Sequence, residues 1–212
     1  ENRQRLWGTD HAEVASSLNH LGEVLTLKSD YDEAEKSLRG SLEIRQRLFG
    51  ESSAEAADSL NELAVLLAKK GEFAQAEPLI RQALEIRRKL RGEQHPDVAR
   101  SLEDLGLNYY ERGEYEQSVK YLSEAVAMQR ALHGNAHPAL AQAMDNLSYA
   151  LMGLRKPDEA EPLCRAALEM KRQLYGDTHP ETAMGLNNLA YRVVQLARGA
   201  VLRPRRDAGL QR

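Results

Sequence analysis

Gly8, Gly50, Gly92, Gly134 and Gly176 follow one another at intervals of 42 residues without a gap. That period, held through a chain of 212 residues, limits the fold more than any other feature. One supersecondary unit must recur, and each copy must find its core against the next. Four complete units occupy 8–49, 50–91, 92–133 and 134–175. A fifth begins at 176 and keeps a first-helix pattern to 198, beyond which 199–212 form a basic tail. Residues 1–7, "ENRQRLW", align with "EIRQRLF" at 43–49 and read as the end of the second helix of a preceding repeat.

Each unit reads as a helical hairpin. Leu60, Leu63, Ala64 and Leu67 recur at i, i+3, i+4 and i+7, the spacing of one helical face. "KKGEF" then interrupts the pattern, with Gly71 supplying the turn. A second stripe resumes at Ala76, Ile80, Ala83, Leu84 and Ile86 and ends in "RRKLRG". Cations there offset the negative end of the helix dipole, and Gly92 suits the cap that follows.

Between units stand "GEQHP" (92–96), "GNAHP" (134–138) and "GDTHP" (176–180). A metal needs its ligands within about 2.3 Å of one ion, whereas equivalent residues of stacked helices lie about 8–10 Å apart. His95, His137 and His179 are therefore punctuation. Asp10…Glu13, Ser52…Glu55 and Thr178…Glu181 fit a cap-x-x-Glu helix start, and proline suits the first helical turn. No phosphate loop, HExxH pair or nucleophile–histidine arrangement occurs, so the segment is expected to be non-catalytic, with no metal and no cofactor.

These residues resemble the tetratricopeptide repeat (TPR), in the 42-residue form of kinesin light chains and nephrocystin-3. The carriers are "SLNELAVLLAKKGEFAQAEPLIRQALEIRRKL" (59–90), "DEAEPLCRAALEMKRQL" (158–174) and "LNNLAY" (186–191). Small residues occupy the signature places on first helices (Gly22, Ala64, Gly106, Ser148, Ala190) and on second helices (Ala34, Ala76, Ser118, Ala160). The resemblance implies an all-α, right-handed α-α superhelix, a TPR solenoid of stacked hairpins. It also implies an interaction scaffold whose first helices line a concave groove, where asparagines grip the backbone of an extended peptide. The matching asparagines are Asn19, Asn61 and Asn187 at one site, and Asn146 and Asn188 at the next.

Helical spacing adds Glu23, Asp58, Glu62, Arg100, Glu103, Asp104, Asp145, Tyr149 and Tyr191 to that face. Six of these are acids and one is an arginine, so the expected ligand is a protein segment carrying basic residues, with apolar contacts at Tyr149 and Tyr191. The alternatives are a regulatory region of a larger signalling enzyme, a kinase or ATPase, and a self-assembly module. Homodimerisation is expected through the uncapped C-terminal end, where Val193, Val194 and Leu196 lack a covering helix. The basic tail can also act as a built-in competitor for the groove. A net charge of −3 argues against nucleic acid or a membrane surface as partner. Cys164, the one cysteine, suits a reducing cytoplasmic compartment and a buried small-hydrophobe role beside its counterparts Leu38, Ile80 and Leu122.

Overall fold

The protein is described by a computed structural model that covers residues 11–190. Expectations placed on Tyr191, on Val193, Val194 and Leu196 and on the tail 199–212 lie outside those residues. The described chain is helical and forms two compact units, divided after Met128.

The first unit contains α1 (Ala12–Leu27), α2 (Tyr31–Phe49), α3 (Ala54–Lys69), α4 (Phe73–Arg91), α5 (Pro96–Glu111) and most of α6 (Tyr115–His133). From α1 to α5 each helix packs on its sequence neighbour, α1 also touches the next first helix, α3, and α6 meets α5 where Leu122 faces Gly106. The core runs along this stack through Leu38, Leu63, Leu67, Ile80, Leu84, Leu102 and Leu105, none of them more than 5% exposed. The second unit contains the end of α6, α7 (Pro138–Gly153), α8 (Pro157–Tyr175) and a further helix, α9, over 180–190. Leu140, Met144, Leu147, Cys164 and Leu168 are buried there.

The joints explain the histidines. His11, His95, His137 and His179 each use Nδ1 to accept the backbone N–H two residues on, at 3.1–3.2 Å. Ser53 performs the same task with Oγ toward the Ala56 N–H at 3.1 Å. The N-cap residue is thus the histidine or Ser53, one place later than the expected Ser52 and Thr178. Proline at the first helical position requires an extended residue before it, and His95 (φ −143°, ψ 145°) and His137 (φ −147°, ψ 141°) comply. An imidazole can cap a helix only while that nitrogen is unprotonated. At His137 burial lowers the imidazole, and His133 stacked on it at 3.8 Å lowers it further.

A network on α4, α5 and α6 fastens the first unit. Glu77 Oε1 accepts from Tyr109 Oη at 2.7 Å and from Arg81 Nε at 2.9 Å, and Glu77 Oε2 accepts from Arg112. The rings of Tyr109 and Tyr121 stack 5.6 Å apart beneath the Arg81 guanidinium. Burial pushes the Glu77 carboxyl up, but the bonds from Tyr109, Arg81 and Arg112 outweigh it and hold it at about 2. A carboxyl depressed in the folded state stabilises the fold above its ordinary titration range. That contribution is lost as pH falls through the folded value. Glu77→Gln is expected to cost about 2 kcal/mol at neutral pH, with the gap to the parent closing between pH about 5 and about 2. Urea unfolding at both ends of that range checks it, and a gap that persists in acid refutes it.

Candidate functional site

The first-helix face of the first unit is built from α1, α3 and α5. Asn19 is buried, and its Nδ2 donates to Glu23 Oε1 at 2.6 Å, leaving Oδ1 without a partner. Asn61 on α3 is 1% exposed; its Oδ1 accepts from Arg87 at 3.5 Å, and its Nδ2 faces the Asp104 carboxylate without a close hydrogen bond. Asn108, one turn beyond Asp104 on α5, donates from Nδ2 to the Phe73 carbonyl at 3.1 Å and leaves Oδ1 unpartnered. Buried amides with spare capacity are uncommon in folded proteins, and here they recur on one face.

The carboxylates divide into two groups. At the helix-start side, Glu23, Asp58, Glu62 and Asp97 share a polar pocket of about 500 Å³ with Arg45, Arg87, Arg91 and Arg100. Charge there is balanced. Asp58 accepts from Arg87 at 2.9 Å, and Arg100 stands 3.8 Å from Glu62. Burial pushes the Glu62 carboxyl up, Glu23 adds to the effect, and Arg100 opposes it.

Farther along the helices a second pocket, about 480 Å³, opens between α3 and α5. Its walls include Ala64, Val65, Ala68, Phe73, Ile80 and Leu107, and its polar lining includes Asn61, Asp104 and Asn108. Asp104 Oδ2 is enclosed and makes no close hydrogen bond, although the Asn61 amide lies beside the carboxylate. Burial pushes this carboxyl up, against the pull of Arg100, Arg87 and the Asn61 amide. Glu103, the neighbour of Asp104, is half-buried.

In the second unit the expected site residues behave differently. Asp145 does not offer its carboxylate to a ligand. It is 2% exposed and accepts from Lys171 Nζ at 3.0 Å, while Lys171 also pairs with Glu181 at 3.1 Å. Asn146 Oδ1 accepts from Gln142 Nε2 at 3.0 Å. Tyr149 Oη donates to Asn188 Oδ1 at 2.5 Å, which brings two of the expected residues together, whereas Asn187 is exposed.

The sequence reading passed over the cations of the second helices. Arg45, Arg87 and Lys171 occupy equivalent repeat places, with Gln129 at the fourth. Arg45 reaches Ser59 Oγ at 2.9 Å, and Arg87 reaches Ser101 Oγ at 2.7 Å as well as Asp58. They were detectable through the same 42-residue spacing that revealed the glycines. Their bodies lie on the helices behind the face, so a stripe drawn on first helices alone omits them.

The joint caps employ the recurrent histidines, and among the described residues no group of three or more His, Cys, Asp or Glu is arranged to hold a metal ion. No described helix is long and apolar enough to cross a membrane. Stacked hairpins that present a polar, pocketed face define a helical-repeat interaction scaffold. The chain belongs to the tetratricopeptide-repeat family, whose models match residues 13–89, 55–131 and 140–181. Repeats of this family are generally non-catalytic scaffolds.

No curated protein matches the chain in sequence. Solved structures do match in fold. The nearly identical TPR-like repeats of a kinesin light chain candidate from Podosopora anserina superpose with a TM-score of 0.77 at 20% identity, covering 91% of each chain. BtubC (BKLC) from P. vanneervenii gives a TM-score of 0.70 at 24% identity, covering 93% of this chain and 70% of the other. A Rap protein complexed with Competence and Sporulation Factor gives 0.69 at 15% identity, covering 87% of this chain and 49% of the other.

Proposed function

We propose that the protein binds an extended segment of a partner along the first-helix face, with asparagine side chains holding the segment's backbone and basic residues entering beside the carboxylates. The observation that carries this reading is the set of buried, half-used amides on that face, Asn19, Asn61 and Asn108. An extended peptide exposes a carbonyl and an N–H at every residue, and a buried amide with one free atom is complemented by either. A protein of similar fold, the Rap protein complexed with Competence and Sporulation Factor, supports a partner-binding role in general.

Selection from a random-peptide phage library on the immobilised protein, followed by titration of a synthetic copy of the enriched peptide, tests the proposal. Asn61→Ala is expected to weaken that peptide about tenfold, the effect of removing a buried hydrogen bond and stranding its partner. Failure to enrich any peptide, or binding that ignores both Asn19→Ala and Asn61→Ala, overturns it.

A further inference from the structure

We infer that the pocket between α3 and α5 is a subsite for one lysine or arginine side chain of the bound segment, an inference that rests on the peptide-binding reading above. Three observations converge on it. The walls formed by Val65, Ala68 and Leu107 are apolar, which suits the methylene stem of a basic side chain. At about 480 Å³ the pocket admits a whole long side chain with part of the backbone that carries it. Its unpartnered acceptors, Asp104 Oδ2 and Asn108 Oδ1, lie one helical turn apart on α5.

The orientations of the two amides are fixed from within the protein. Arg87 holds Asn61 Oδ1, so Asn61 offers Nδ2; the Phe73 carbonyl holds Asn108 Nδ2, so Asn108 offers Oδ1. An incoming cation therefore meets two acceptors, one of them a carboxylate, while Asn61 Nδ2, which faces Asp104 with one N–H, can donate the other to a carbonyl of the same segment. The nearby cations do not fill this role. Arg87 is engaged by Asp58, Ser101 and Asn61, and Arg100 is exposed beside Glu62. Lys69 and Glu111, one charge of each sign, also line the pocket, and both are exposed. An aromatic or aliphatic side chain would seal the pocket and leave Asp104 Oδ2 unpaired, and an acidic one would face Asp104 and Glu111.

Phage selection on the parent protein and on Asp104→Asn separates the possibilities. The parent is expected to enrich peptides with lysine or arginine at one register position, and Asp104→Asn to lose that enrichment. For the synthetic peptide, replacing that residue by norleucine should weaken binding to the parent about tenfold or more, and change binding to Asp104→Asn little. Ala68→Leu, which fills the pocket from its apolar wall, should reduce affinity for the basic peptide comparably. Circular dichroism monitors the fold of each variant, and Glu85→Gln on the exposed face of α4 serves as the unaffected control. Enriched peptides without a basic position, or equal losses for the basic and norleucine peptides on Asp104→Asn, overturn the subsite while leaving peptide binding intact. No enrichment on the parent overturns both.

Discussion

Replacing Gly106 by serine is expected to destabilise the first unit by about 3 kcal/mol, and adding Leu122→Cys is expected to recover part of the loss. A Cβ at residue 106 would stand 2.6 Å from Leu122 Cγ, 2.9 Å from its Cδ2 and 3.3 Å from its backbone nitrogen. Leu122 is fully buried, so the side chain has no free space into which to move. The better helix propensity of serine returns only a few tenths of a kcal/mol of this cost. The other repeats show how the chain accommodates the same contact. Gly22 faces Leu38, with the same clash awaiting a Cβ, whereas Ser148 lies against the smaller Cys164, Oγ to Sγ 3.3 Å. Ala64 and Ile80 take the corresponding places in the second repeat. Small residue and partner thus vary together. Urea unfolding of both single variants and the double variant measures the coupling. Additive losses, with no recovery in the double variant, would show that the two sites do not compete for one space.

The second large effect is expected at Asp145. Asp145→Ala leaves Lys171, 2% exposed, with Glu181 as its remaining carboxylate, and should cost the second unit about 3–5 kcal/mol. Removing both charges is expected to be far milder. Asp145→Leu combined with Lys171→Met exchanges an ion pair for apolar contacts of similar volume, and such exchanges are often close to neutral. Thermal unfolding of the set decides the matter. If Asp145→Ala keeps its stability and instead alters only peptide binding, the residue belongs to the ligand face after all.

The comparison of these two sites shows which kinds of information a sequence carries openly. Gly106 was visible because the small residue must recur at one repeat place. Its partner Leu122 was visible too, since both sit on stripes of 3.6-residue periodicity. Asp145 was misjudged for a physical reason: a carboxylate at a ligand-facing repeat place looks the same whether it meets solvent or a buried ammonium. Only the reach of Lys171 from α8 decides, and reach depends on how far apart two helices pack. The joint histidines illustrate a smaller error. Their role as punctuation followed from spacing, yet the capping atom proved to be the imidazole nitrogen of His179 and not the hydroxyl of Thr178, and at the second repeat Ser53 Oγ and not Ser52. The pocket at Asp104 was legible in part. Asn61 and Asp104 belonged to the expected face, but Asn108, Ala68, Phe73 and Ile80 come from places that this stripe does not include.

Arg87 has a consequence for how such a protein changes partners. Its backbone belongs to a second helix, yet its guanidinium lines the polar pocket, neutralises Asp58 and steadies Asn61. Exchanging it for a neutral residue would release one carboxylate and one amide at a stroke, without altering any residue of the first helices. Selection acting on the rear of the stack can therefore retune what the front recognises.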